Sequence, residues 1–346
     1  TGAGTALDAG VSIEIAKSGL GQLTVEDGAS VTHGSDLLIG QSAGAMGGAV
    51  VSGAASSWQG LRDATIGEAG IGTFVVADGA AASFGEDMVV GLAGGGGALW
   101  ADAGTISVGT LTLGDAGDGT LVVEDGGSVT VGGGAGTVLV AAQAGSTGNI
   151  SIGNGAAAGS IGAARIQFGG GDGNLFFAHT NEDYRFDPIL EGSALIEHGS
   201  GDTIFTADSS AFTGTTTIWG GMLSVDGILG GIIDVDADGT LGGSGTVGDV
   251  TVASGGTLAP GSSIGTLDVG NIIFDAGSLL EVEVDGLGNA DLVNAAGTAT
   301  INGGLVDVFP FPDIRVDTPY TIVTAAGGVT GACDGATFAL GSLFIT

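Results

Sequence analysis

GTLVVEDGGSVTVG, residues 119–132, is the stretch whose reading decides the fold. Successive side chains of a strand point to opposite faces, so Leu121 and Val123 share one side while Val122 and Glu124 share the other. After the Asp125-Gly126-Gly127 corner the alternation resumes at Val129 and Val131. Two further stretches match it without gaps, GQLTVEDGASVTHG from Gly21 and GTFVVADGAAASFG from Gly72. All three read G-x-apolar-x-V-x-D-G. Weaker copies lie halfway between them, GAVVSGAASSW from Gly48 and GALWADAG from Gly97. The repeat is therefore about 23 to about 26 residues long, within the range of solenoid repeats. The inward anchors read along this series are Val25, Val51, Val76, Trp100 and Val123.

Short strands interrupted by Gly and Asp corners have no partner within one repeat, so each must pair with its equivalent in the next. The expected fold is therefore all-β, a parallel β-helix (β-solenoid) of roughly 14 to 15 coils at about 4.8 Å per coil. No stretch carries a capped 3.6-residue period, so almost no helix is expected. The 74 glycines among 346 residues then have a cause, because each corner needs positive φ or close backbone approach.

Composition agrees. Gly without a strict triplet and with five Pro excludes collagen, and a mean hydropathy of +0.49 is too apolar for a disordered linker. Apolar residues come in short bursts, so no stretch approaches the roughly 18 residues of a membrane helix. The 38 acidic against five basic residues give a net charge of −33, which repels nucleic acid and anionic lipid. Cys333 is a single cysteine, so it has no internal disulfide partner. The opening TGAGTALDAG lacks the basic start and apolar core of a signal peptide.

The chain reads as three regions: regular repeats over 1–165, less regular coils over 166–214, and a third region over 215–346. The middle holds His179, His198, Phe168, Phe176, Phe177 and Tyr184. From residue 165 onward the text, including SSAFTGTTTIWGGMLSVDGILGG, GTLGGSGTVGDVTVASGGTLAPGSSIGTLDVG and TPYTIVTAAGGVTG, closely resembles autotransporter (type V secretion) passenger domains with their autotransporter-associated β-strand repeats. The earlier GEAGIGTFVVADGA-type repeats look similar. The resemblance implies a right-handed β-helix exported through the outer membrane of a Gram-negative bacterium to the cell surface or released. It also implies an autochaperone-like role for about residues 215–346, and a translocator barrel as partner. The sequence stops at GSLFIT without linker helix or barrel, so a passenger fragment is expected.

Candidate chemistry is sparse. G-x-S-x-G occurs at Ser42 and Ser263, but the nucleophile elbow needs a strand-to-helix turn that this pattern does not supply. Asp27, Asp78 and Asp125 form a row of corners two coils apart, read as solvated polarity that keeps an apolar rod soluble. Polysaccharide lyases and glycosidases need paired carboxylates, and lyases usually a basic residue as well, whereas Lys17, Arg62, Arg165, Arg185 and Arg315 are scattered. His33 takes the inward slot of Phe84 and Val131. His179 and His198 lie near acidic residues, which raises a metal or pH-sensing reading. Trp58, Trp100 and Trp219 are candidates for stacking on sugars, with Trp100 placed in the core by its alignment. DVDADGTLGGSG, residues 234–245, opens like a calcium loop yet has Gly245 where the bidentate Glu belongs. Its alternating carboxylates are those of a strand, with Ile233 and Val235 inward and Asp234 and Asp236 outward.

No catalytic, cofactor or metal residue is assigned on these grounds. The expected function is that of an adhesin, a self-association or host-interaction scaffold, whose partners are a host surface, matrix or glycan receptor or sibling passengers. The alternative is a polysaccharide-degrading β-helix enzyme.

Overall fold

The computed structural model describes residues 4–311 and 319–338. The segment GSLFIT and Arg315 lie outside the described residues. The chain forms two compact units, Thr1–Thr180 with Pro188–Ala194, and Asn181–Asp187 with Leu195–Thr346. Each is a parallel β-solenoid, and the described residues contain no α-helix, only a short 3-10 turn at Gly132–Gly134.

In the first unit seven coils each give one strand to each of three parallel sheets, and Ile189–Glu191 adds an eighth strand to the second. The first sheet runs from Ala6–Ala9 through Ser30–His33 and Ser57–Gly60 to Ser160–Gly162. The second runs from Ile13–Ile15 and Leu37–Ile39 to Ile189–Glu191. The third stacks Leu20–Val25, Met46–Ser52, Ile71–Ala77, Gly96–Asp102, Asp118–Glu124, Thr147–Ile152 and Asp172–Ala178 in continuous register.

The motif found in sequence is the third-sheet strand and the corner after it, and each recurring position of the pattern has a separate physical job. The first glycine aligns as Gly21, Gly47, Gly72, Gly97, Gly119, Gly148 and Gly173. A Cβ at Gly97 would come within 2.2 Å of the Ile66 carbonyl oxygen and 2.6 Å of the Gly91 amide nitrogen, so this column accepts no side chain. The terminal D-G is a tight corner. Asp27, Asp78 and Asp125 take φ of 57, 54 and 50°, and the following glycines are also positive. The N–H of Ala29, Ala80 and Gly127 closes each corner onto the carbonyl of Glu26, Ala77 and Glu124. Two positive-φ residues inside such a hydrogen bond are the signature of a type I′ turn, which favours Asp-Gly.

Between these points the strand alternates as expected. Leu121 and Val123 are fully buried, as are Phe74 and Val76 one repeat pair earlier. One anchor differs. Trp100 pairs with Val75 and Val122 and points outward, whereas Ala101 pairs with Val76 and Val123 and is buried. Counting from the glycine column settles it, because the anchor lies four residues beyond Gly72, Gly97 or Gly119. Bulk alone marks the Trp as the anchor, but register follows the position that tolerates no Cβ.

The core of the first coils is aromatic. Trp58 and Phe74 meet edge-on with ring centroids 5.4 Å apart, Phe74 and Phe84 at 5.7 Å, and His33 and Trp58 at 6.1 Å. Offset and edge contacts of this kind add about 0.5–1.5 kcal/mol per pair beyond burial. Gly60 lies level with His33 and Phe84 in the first sheet, and a Cβ there would fall 2.6 Å from the His33 ring and 2.8 Å from Phe84. Its bareness is what lets two rings fill neighbouring coils.

The second unit has an eight-stranded sheet from Tyr184–Phe186 through Asp202–Phe205, Gly221–Val225, Gly239–Gly243, Thr257–Pro260, Leu279–Val284 and Leu305–Pro310 to Gly335–Phe338. Its coils are uneven. Leu223 pairs with Leu241 and Leu241 with Leu258, both short steps along the chain, whereas Leu280 pairs with Val306, a step nearly half as long again. The short coils arise because Ile228–Val235 is one strand that shifts register between Leu229 and Ile232, at Gly230-Gly231, and so serves two ladders.

Candidate functional site

Three outward columns of the third sheet in the first unit run side by side, a floor column between two flanking ones, and at the first coils they border a shallow trough. Its floor reads Gln22, Gly48, Thr73, Ala98, Thr120, Asn149, Asn174 from coil to coil. One wall is Thr24, Val50, Val75, Trp100, Val122, Ser151, Phe176, and the other is Leu20, Met46, Ile71, Gly96, Asp118, Thr147, Asp172. Strand geometry sets neighbouring columns about 6.7 Å apart and successive coils about 4.8 Å apart. At its first coils the trough is a cavity of about 410 Å³ bordered by the exposed Leu20, Met46 and Ile71. Further on its walls carry the half-buried Trp100 and Phe176 and the exposed Asp118 and Asp172. Asn174 donates to the Asn149 side-chain oxygen at 2.9 Å, fixing both floor amides.

Beside the Trp100 wall runs an acidic margin. The row of corner aspartates does recur two coils apart, but Asp102 stands on the coil between Asp78 and Asp125. Burial raises the Asp102 pKa, and the charges of Asp125 and Asp78 raise it further. Glu124 is raised by burial and then by Asp102 and Asp125. Ser52 on the preceding coil donates to Asp78 at 2.7 Å.

In the second unit a cavity of about 340 Å³ is lined by Met222, Ser262, Ser263, Glu281, Glu283, Asp291 and Phe309, among others. Asp291 is 2% exposed and its carboxylate accepts from the Gly265 and Glu283 backbone N–H groups at 2.8 and 2.7 Å. It ties the corner together. Glu281 and Glu283 alternate outward along Leu279–Val284, and both pKa values rise, through burial first and then through Asp307 and Asp291 respectively. Sequence reading missed this pair. The signal was present in the alternation of EVEV, where every second residue is a carboxylate on the open face.

The residues singled out in sequence do not assemble into one centre. Ser42 and Ser263 are both exposed, Ser42 in the corner where its carbonyl accepts from Ala45 N–H. Neither precedes a helix. His33 is buried as expected, with Nδ1 donating to the Ser35 carbonyl at 2.8 Å, and burial lowers its pKa against the opposing effects of that bond and of Asp36. His198 is also buried. Its Nδ1 donates to the Gly220 carbonyl at 2.8 Å and its Nε2 accepts from Thr203 Oγ1 at 3.0 Å, and burial lowers its pKa. His179 is buried in the first unit. Among the described residues no group of three or more His, Cys, Asp or Glu is arranged to hold a metal ion.

Of the basic residues, Lys17 pairs with Glu14 at 3.0 Å and Arg165 with Glu191 at 2.9 Å. Trp58 fills the core and Trp219 is 45% exposed. Ile233 and Val235 are fully buried while Asp236 is exposed and Asp234 partly so, as the strand reading of DVDADG required. Asp238, at φ 70°, makes the following corner.

No family model matches the chain. An extracellular serine protease of Serratia marcescens is 36% identical over 172 residues, 45% of this chain and 16% of that protein. The adhesin BmaC autotransporter of Brucella suis biovar 1 (strain 1330) is 37% identical over 115 residues, 32% of this chain and 3% of that protein. A further extracellular serine protease of Serratia marcescens is 30% identical over 154 residues, 41% of this chain and 14% of that protein. The chain thus spans a sixth or less of the length of these curated relatives. Among solved structures, the TibC-catalyzed hyper-glycosylated TibA55-350 fragment aligns with 94% of this chain and 100% of its own at 16% identity and a TM-score of 0.34. With its repeats laid out as coils, the chain is a β-solenoid that shares sequence with an autotransporter adhesin and with extracellular serine proteases.

Proposed function

We propose that the chain is passenger sequence of a Gram-negative autotransporter, exported through the outer membrane to the cell surface or released, where it acts as an adhesin or self-association scaffold. The observation that carries this reading is the sequence shared with an autotransporter adhesin by a chain that folds as a solenoid. A solenoid suits the role because its outward columns vary freely while the inward ones hold the fold. Deleting the gene segment for residues 4–338 from the producing bacterium, with export of the remainder checked, should reduce cell clumping or attachment to host cells and matrix. Unchanged clumping and attachment would leave the chain a stalk.

The second reading is an enzyme acting on polysaccharide, and one observation favours it. The cavity at Glu281 and Glu283 brings raised carboxylates beside Phe309. A carboxyl whose pKa is raised by burial and a neighbouring carboxylate is the kind a general acid uses. Release of reducing sugars from a glycan panel, abolished by Glu283→Gln, would establish this reading over adhesion. The third region, residues 215–346, is proposed to nucleate folding of the coils before it, as in related passengers.

A further inference from the structure

We infer that the outward third-sheet face of the first unit, between Trp100 and Phe176, binds an uncharged polysaccharide chain lying parallel to its columns. The inference rests on the adhesion reading for its biological sense and names the ligand class that reading lacks. Trp100 is outward although the glycine register offered an inward slot one residue later, which Ala101 fills. The Trp100 indole stands half-buried on the outward face, and the half-buried Phe176 stands in the same column three coils, about 14 Å, further on.

Along the same length the floor offers Thr120, Asn149 and Asn174, one hydroxyl and two amides fixed by their mutual hydrogen bond. A pyranose ring matches this pairing of surfaces, because its C–H face packs on an aromatic plane while its hydroxyls bond amides and hydroxyls at the side. Columns parallel to the stacking direction suit a linear chain of such rings.

Other occupants fit less well. The walls carry Asp118 and Asp172, the margin carries Asp102 and Glu124, and the third-sheet strands contain no Lys or Arg, so a polyanion or an anionic lipid surface is repelled. A second copy would set these carboxylates against their own kind. An extended peptide has no strand edge to join along Gly96–Asp102, Asp118–Glu124 and Thr147–Ile152, since each of these strands pairs on both sides.

The test is affinity electrophoresis of the purified chain through gels holding mixed-linkage β-glucan, xylan, galactomannan or polygalacturonate, which needs no cells and so stands apart from the attachment experiment. Retardation is expected in at least one neutral gel and not in polygalacturonate. Trp100→Ala and Asn174→Ala should each weaken it about tenfold or more, while Trp219→Ala, in the other unit, should not. If circular dichroism shows that Trp100→Ala disturbs the strands, Trp100→Tyr and Asn149→Ala replace it. No retardation in any neutral gel, retardation by polygalacturonate alone, or retardation unaltered by these substitutions overturns the proposal. So does a concentration-dependent dimer that Trp100→Ala abolishes, since a second copy would then be the occupant.

Discussion

His198 and Asp102 respond to acid in opposite directions. The pKa of His198 is depressed by burial, so its contribution to stability is complete above the ordinary value of 6.5 and is lost as pH falls below it. Asp102 and Glu124 are raised above their ordinary values of 3.8 and 4.5, so the folded state gains stability as pH falls through the raised values. Melting temperature should therefore decline as pH falls through the ordinary histidine value of 6.5, and the decline should slacken at more acid pH, where the raised carboxylates take up protons. His198→Gln, which keeps a donor and an acceptor, should flatten the upper part of the curve; parallel curves for variant and parent would show that another group titrates there. Sequence alone placed His33 inside, because its slot was defined by Phe84 and Val131 in aligned repeats. It misplaced Trp100 by one position, since side-chain bulk competed with register and only the glycine column arbitrates. Glu281 and Glu283 stayed hidden because alternation shows which residues face out, not where the surface is concave.

A coil is specified by two kinds of device. The inward glycine column excludes a side chain, so Gly97→Ala should lower stability by about 1–3 kcal/mol through overpacking, whereas Ala98→Ser next to it, on the outward face, should be nearly neutral. Thermal unfolding of the pair reads the contrast directly. The outward corners are stitched between coils. Asp249 Oδ1 accepts from the Asn271 backbone N–H at 2.7 Å and its side-chain amide at 3.0 Å, and Asn271 Oδ1 accepts from Thr298 N and Oγ1 at 2.9 and 3.1 Å. Asp268, Asn294 and Thr324 repeat the pattern. Asn271→Ala should cost about 1–2 kcal/mol and speed amide exchange at residues 271–274 and 298–301 more than in the first unit. The repeat itself was legible because both devices leave a fixed mark, a glycine and an Asp-Gly pair. The short coils of the second unit were not, because one bent strand there does the work of two and erases a corner.

For the whole chain the dominant long-range term is charge. With −33 spread over 346 residues and few cations to offset it, self-repulsion opposes folding and is screened by salt. Melting temperature should rise between about 10 and about 500 mM NaCl, most steeply at the low end; a flat profile would mean that the corner hydrogen bonds already absorb the repulsion. Those bonds have a direction. In most of them the carboxylate belongs to the earlier coil and the hydroxyl or amide to the later one, as in Asp8 with Thr32, Asp87 with Thr110, Asp115 with Gln143, and Asp307 with Thr337. Most coils thus present acceptors to their successor and donors to their predecessor. Coils are polar building blocks that stack one way round, so a segment transplanted between two such solenoids would seat only in its original orientation, and two fragments would join head to tail rather than head to head.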